Sequence, residues 1–224
     1  MHRFGTLLAA LTLGALAALP LPAQGPTDLA AVCKVLGDAK PGQWASFDGT
    51  GSAGVGKLRL AVVGSERAGD STLYWFEVSF TGKDPGKNGV VQILTGSLAS
   101  GLESPRALVF KVGPQPAMRI SGEMVGMMGK QGQQNTSAFD WASRCSGAHV
   151  VGWESVTVPA GTFRALHVTT EDGGEVWASR EVPFGLVKTH GKQGDLALTG
   201  RGADAKSSIT EKPLEMPAMP MPKN

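Results

Sequence analysis

The stretch GSAGVGKL, residues 51–58, has nearly the spacing of a loop that binds nucleotide phosphates. Gly51 and Gly56 are separated by four residues and Lys57 follows them. Such a loop also needs a helix after it and a hydroxyl side chain that ligates magnesium. Leu58 occupies the hydroxyl position here, and KLRLAVV alternates like a strand. We therefore interpret the stretch as a glycine-rich turn, expect no nucleotide cofactor, and place Lys57 first on the solvent side of its strand.

Three histidines could supply a general base or a zinc ligand, namely His149, His167 and His190. None of them has the spacing of a zinc-binding motif, and each falls in a different predicted strand. We expect histidines that are satisfied within the sheet, with no metal and no catalytic residue. A hydrolase remains a third alternative, and it would require these histidines to meet carboxylates in a cleft.

The N-terminal residues have the layout of a secretory signal peptide. His2 and Arg3 precede an apolar run over residues 7–19, and the small residue Ala23 follows Pro20 and Pro22. The apolar run is too short to span a bilayer as a helix. We predict a signal peptide at 1–23, one β domain at 24–210 and a disordered tail rich in Pro and Met at 211–224. The mature protein is expected to be soluble in the periplasm or secreted.

Composition narrows the partners and the redox chemistry. Lys and Arg number 21 against 19 Asp and Glu, and these charges are interspersed, so no nucleic-acid partner is implied. Cys33 and Cys145 are the two cysteines. In an oxidising compartment we expect them to form a disulfide, and two buried free thiols are the alternative.

Hydrophobic periodicity predicts one helix followed by strands. Leu29, Val32 and Leu36 share one face of a helix over Thr27–Ala39, and from Lys57 onward the period is two. The predicted strands are 57–63, 72–80, 90–94, 108–112, 139–144, 149–158, 163–170, 176–179, 186–190 and 196–199. Glycine-rich turns between them indicate an antiparallel meander.

The sharpest turn signal is VTVPAGTFRALHV, residues 156–168. Pro159 suits the first central position of a turn, and Gly161 suits a positive φ in a three-residue hairpin loop. In that register Val158 faces Thr162. Trp153 then shares a face with Phe163, Ala165 and His167, while Glu154 and Arg164 share the other.

Three segments resemble a known group of exported bacterial proteins. They are ESVTVPAGTF (154–163), EVWASREVPFGLVK (175–188) and GRGADAKSSI (200–209). They resemble the C-terminal half of mostly uncharacterised proteins allied to the LolA-like periplasmic lipoprotein carriers. The resemblance implies a mainly β fold, with a curved antiparallel sheet forming an incomplete half-barrel beside an N-terminal helix. It also implies a hydrophobic cavity that holds acyl chains.

On this basis we expect a non-catalytic binder or carrier of a hydrophobic small molecule or lipid, without a cofactor. The candidate ligand-binding residues are Tyr74, Phe76, Phe80, Phe110, Met124, Met127, Trp153 and Phe163. The segment 113–137 is expected to be a long loop whose methionines either form a mobile lid or fill gaps over the sheet. The alternative function is an envelope module with a filled core that binds a protein partner.

Overall fold

The computed structural model describes residues 39–50, 55–96, 105–131, 147–192 and 194–216. Within these ranges twelve strands form one sheet. They are β1 (Trp44–Thr50), β2 (Val55–Ala68), β3 (Ser71–Gly82), β4 (Gly89–Thr95), β5 (Ala107–Val112), β6 (Met118–Ser121), β7 (His149–Val158), β8 (Gly161–Thr169), β9 (Glu175–Ala178), β10 (Leu186–His190), β11 (Asp195–Gly202) and β12 (Leu214–Glu215). A helix, α1 (Gly122–Gln131), follows β6, and a short 3-10 turn covers Pro85–Lys87.

The sheet is open and strongly curved. Its strand order is β12-β6-β5-β4-β3-β2-β1-β11-β10-β9-β8-β7, so β12 and β7 are edge strands of the described sheet. Neighbouring strands are antiparallel except β6 and β12. Register shifts, which bend and twist a strand, leave an extra residue in β2, β7, β10 and β11. The turn after β7 folds back to β11, where the Ala160 amide donates to the Leu198 carbonyl at 3.1 Å. The predicted class of fold is confirmed.

The main hydrophobic core lies where the two halves of the curved sheet approach each other. Phe47 and Val62 come from β1 and β2, while Leu166 and Leu198 come from β8 and β11, and none of the four side chains is exposed. The loop between β9 and β10 adds Phe184, whose ring lies 5.6 Å from the ring of Phe76. Apolar burial of this kind supplies most of the stability of a domain.

The residues after β11 cross the sheet from β1 to β6 on the face that points away from the main core. We call residues 203–216 the C-terminal strap. At one end Trp44 donates its Nε1 hydrogen to Asp204 at 2.7 Å. Further along, Lys111 of β5 forms an ion pair with Glu211 at 2.5 Å. The strap ends as β12, in which Leu214 pairs with Met118. Six residues assigned from sequence to the disordered tail, 211–216, therefore pack on the sheet, and 217–224 lie outside the described residues.

Glu77 of β3 fastens the middle of the strap. Its side chain is 0% exposed. Gln92 donates to its carboxylate at 2.8 Å, and the amide and hydroxyl of Ser208 donate at 2.9 and 2.7 Å. The Arg59 guanidinium lies 3.7 Å away. A buried carboxylate is tolerated when it is paired and fully hydrogen-bonded, and these partners meet that condition.

The segment expected to be a long loop contains regular structure instead. Met118–Ser121 is a strand and Gly122–Gln131 is a helix that contacts β5 and β6. The Ser121 hydroxyl caps the helix by accepting a hydrogen bond from the Met124 amide at 3.4 Å. Three glycines within the helix lower its intrinsic propensity, so tertiary packing of the buried Met124 offsets a weak local signal.

The turn signal at 156–168 gives the predicted hairpin in a different register. Val158 pairs with Gly161 and Thr157 pairs with Thr162, so the predicted pairing of Val158 with Thr162 is wrong by one residue. Gly161 has the expected positive φ, at 128°. The shorter loop leaves the Ala160 amide to bond β11, a tertiary contact that sequence periodicity does not contain.

This one-residue shift moves side chains to the other face. Trp153 lies opposite Leu166 and contacts Arg164, whose guanidinium is 5.6 Å from the indole ring. Glu154 lies opposite Ala165 instead. The predicted grouping of Trp153 with Phe163 is therefore wrong.

Several predictions concern residues outside the described ranges. They are the signal peptide at 1–23, the predicted helix up to residue 38, the strand at 139–144, and Cys33 with Cys145. The disulfide thus remains a prediction.

Candidate functional site

One face of strands β2 to β6 is apolar along its whole width, and we call it the apolar face. It consists of three rows of residues that lie directly opposite one another on neighbouring strands, and such residues share a face. The first row is Leu58, Phe80, Gly89 and Val112; the second is Leu60, Val78, Val91, Phe110, Met118 and Leu214; the third is Val62, Phe76, Ile93, Leu108 and Ile120.

Burial decreases from the third row to the first. In the third row Val62, Phe76 and Ile93 are buried. In the first two rows most large side chains are only half-buried, including those of Phe80 and Phe110. Val112 and Leu214 are 43% and 54% exposed. These are two of the three large apolar side chains that stand exposed among the described residues, and both extend the apolar face.

Gly89 creates the space that Phe80 occupies. A Cβ atom at Gly89 would lie 2.4 Å from the Phe80 ring. The ring therefore lies over the backbone of β4, where another residue would carry its side chain. This packing turns a glycine gap in the first row into continuous apolar surface.

Four of the predicted ligand-binding residues belong to this part of the sheet. Phe76, Phe80 and Phe110 lie on the apolar face, and the half-buried Tyr74 lies two residues before Phe76 on the same side of β3. The structure places three of the others outside these rows. Phe163 is buried in β8, Trp153 is half-buried in β7, and Met124 is buried in α1. The side chain of Met127 lies outside the described residues.

Sequence reasoning found the aromatic residues of the apolar face but missed its outer border. Val112, Met118 and Leu214 were not predicted, although alternation from Phe110 to Val112 carried a signal for the first. Leu214 joins the face only because the strap returns to β6, which no local pattern reveals.

Lys57 lies in a strand and not in a phosphate loop. β2 runs from Val55 to Ala68 without a helix, and the Lys57 ammonium lies 3.1 Å from the Asp48 carboxylate across the β1–β2 pair. Both side chains are exposed, as the sequence interpretation expected for Lys57. A strand here cannot present the helix N-terminus that phosphate binding in such a loop requires.

The three candidate histidines lie on the β7–β10 part of the sheet. His167 stacks on Trp177 with ring centres 4.5 Å apart, and its nitrogens lie 3.5 Å from Glu154 and 3.3 Å from Glu175. Trp177 also donates to Glu154. The His167 side chain is only 13% exposed. The cluster is therefore closely packed against the sheet and leaves little room for a substrate.

The other two histidines are exposed. His190 contacts Asp195 at 2.7 Å, and His149 lies opposite Thr169. No three His, Cys, Asp or Glu side chains within the described ranges are arranged to hold a metal ion.

A separate pocket of about 430 Å³ opens beside the start of β1. It is lined by Ala39, Gln43, Arg180, Glu181, Val182, Pro183, Phe184, Arg201 and Gly202. None of the predicted ligand-binding residues is among them. The pocket combines charged side chains with an apolar floor, so it differs in character from the apolar face.

Within the described residues, no helix is long and apolar enough to cross a membrane.

No family model matches the chain, and no curated protein matches it. Two solved structures are similar. A candidate lipoprotein from Parabacteroides distasonis has a TM-score of 0.37 and 12% identity, over 76% of this chain and 99% of that one. A candidate exported protein with a YmcC-like fold from Bacteroides fragilis has a TM-score of 0.35 and 9% identity, over 73% and 97%.

These scores and identities are low, so neither similarity places the chain in a family. Neither protein is described as a LolA-like carrier. The resemblance to those carriers therefore stays a prediction.

Proposed function

We propose that this protein is a non-catalytic binder of a hydrophobic ligand, a lipid or an acyl chain, in the periplasm or outside the cell. The observation that carries the proposal is the apolar face, with half-buried Phe80 and Phe110 and exposed Val112 and Leu214 at its outer border. Contiguous exposed apolar surface on a soluble domain usually marks a binding surface. The export part of the proposal depends on the N-terminal apolar run at residues 7–19.

The shape of the face suits an extended chain. The second row crosses six strands from Leu60 to Leu214, and neighbouring strands are roughly 4.8 Å apart. Val78 is buried in the main core, so the part of the row that is open to a ligand runs from Val91 to Leu214 and spans about 14 Å, enough for part of an acyl chain. Each methylene removed from water there would contribute about 0.8 kcal/mol.

A second candidate function is an envelope module that binds a protein partner. The observation that favours it is the filled core beneath the third row, where Phe184 packs on Phe76. In that case the exposed border of the apolar face would meet another protein, and no small ligand would be present.

The proposal is tested with N-phenyl-1-naphthylamine, a neutral probe that fluoresces in apolar surroundings. We expect the mature protein to bind it and dodecanol to displace it. Phe110→Ser should weaken probe binding about tenfold, since one aromatic wall is lost. The double variant Val112→Ser/Leu214→Ser should weaken it also, and these exposed residues contribute little to folding.

The matched control is Val151→Ser. Val151 is 60% exposed but lies on β7, away from the apolar face. It should leave probe affinity unchanged. Equal binding by wild type and by the double variant would refute the proposed site, and a protein that binds no probe would favour the protein-interaction module.

A further inference from the structure

We propose that the pocket beside β1 binds a small organic anion, a carboxylate or phosphate ester that carries a short apolar group. Its volume of about 430 Å³ is within the usual range for small-molecule sites. This proposal goes beyond the proposed function, because the pocket shares no residue with the apolar face.

Two arginines give the pocket its positive charge. Arg180 and Arg201 line it together with a single carboxylate, that of Glu181. Neither guanidinium has a carboxylate within ion-pair distance among the described residues. The planar guanidinium group matches the oxygens of carboxylates and phosphates through paired hydrogen bonds.

Arg201 is held in place before any ligand arrives. Its guanidinium lies 5.1 Å from the centre of the Phe163 ring, and it donates to the backbone carbonyl of Glu181. A neutral carbonyl fixes the group without cancelling its charge. An arginine positioned in this way loses less conformational entropy on binding an anion than a free one would.

The floor of the pocket is apolar and its backbone is constrained. Val182 and Phe184 are 3% and 5% exposed, and Pro183 is half-buried. Among the described residues, Phe184 is the non-glycine residue whose φ is positive, at 64°. Its ring packs on Phe76. Non-glycine residues held at a positive φ are strained, and such strain occurs preferentially at functional and ligand-binding sites. The floor therefore offers a rigid contact for the apolar group of the anion.

Three probes separate the parts of this proposal, namely inorganic phosphate, hexyl phosphate and hexanol, each titrated into the mature protein by calorimetry. We expect hexyl phosphate to bind at least about tenfold more tightly than either of the others. Amide NMR signals of Val182, Phe184 and Gly202 should shift on binding. Equal affinity for phosphate and hexyl phosphate would overturn the claim that the pocket floor binds an apolar group. Equal affinity for hexanol and hexyl phosphate would overturn the claim that the arginines bind an anion.

The variants are Arg180→Ala and Arg201→Gln, with Arg67→Ala as the control. Arg67 is exposed in β2, outside the pocket lining. Each pocket variant should weaken hexyl phosphate at least about tenfold, and Arg67→Ala should not. Because Arg201 also contacts Phe163, the exposed Arg180 decides the case if Arg201→Gln unfolds. Unchanged affinity in Arg180→Ala, or no binding by wild type, would overturn the proposal without affecting the apolar face.

Discussion

The carboxylate of Glu77 accepts hydrogen bonds from both the amide and the hydroxyl of Ser208, 131 residues further along the chain. This contact joins a central strand to the C-terminal strap. It explains why a charged residue lies fully buried in the middle of the sheet. The strap in turn brings Leu214 to the border of the apolar face.

Replacing Glu77 should destabilise the fold strongly. Glu77→Ala removes the acceptor of Gln92 and Ser208 and leaves Arg59 without its carboxylate, so we expect a loss of about 3–5 kcal/mol in the free energy of unfolding. Urea denaturation measures this change. The exposed Glu123→Ala serves as the control and should change stability by less than about 0.5 kcal/mol. Similar losses for both variants would show that Glu77 does not anchor the strap.

The strap should loosen in acid. The hydrogen bond from Trp44 lowers the pKa of Asp204 below its ordinary value of 3.8, and that from Lys111 lowers the pKa of Glu211 below 4.5. Because both values fall on folding, the stabilisation is complete above the ordinary values and is lost as pH falls through the lower folded ones.

Hydrogen exchange measures this effect. The Ala205 amide donates a hydrogen bond to the Gly42 carbonyl. After correction for intrinsic exchange rates, this amide should lose protection below about pH 4. The Val78 amide in β3 should remain protected. Equal protection of Ala205 at pH 6 and pH 2 would contradict the expected acid release.

Gly89 and Phe80 should depend on each other. Gly89→Ala places a methyl group where the Phe80 ring lies, so we expect a loss of about 1–3 kcal/mol. In a Phe80→Ala background that clash is gone, and Gly89→Ala should then cost much less. A double-mutant cycle by thermal or urea unfolding measures the coupling, and purely additive effects would argue against this packing.

We predict that Cys33 and Cys145 are linked in protein that is isolated from an oxidising compartment. Intact-mass measurement under denaturing conditions without reductant should show no alkylatable thiol. By the loop-entropy model, the bond would contribute roughly 4–5 kcal/mol. Two alkylated cysteines in protein isolated from the oxidising compartment would favour the alternative of free thiols.

Strong local patterns predicted much of the sheet. Alternation placed Phe76, Phe80 and Phe110 on one side, and the predicted strands that fall within the described ranges are present. Alternation works here because one side of each strand is apolar and the other polar over several residues.

Features that depend on distant partners were missed. Met118–Ser121 is too short to show a period, and the strap has no apolar pattern of its own. The turn that pairs Val158 with Gly161 also donates a hydrogen bond to β11, a contact that lies outside the local pattern. The pocket arises because Arg180 and Arg201, from separate elements, meet beside Gln43.

Native mass spectrometry of the protein, purified without detergent from cells that export it, tests the apolar face most directly. We predict a fraction whose mass exceeds that of the polypeptide by one lipid or fatty acid, released by organic extraction and depleted in Val112→Ser/Leu214→Ser. Spectra that show only the bare polypeptide for wild type, together with lipid-free extracts, would contradict a role in binding hydrophobic ligands.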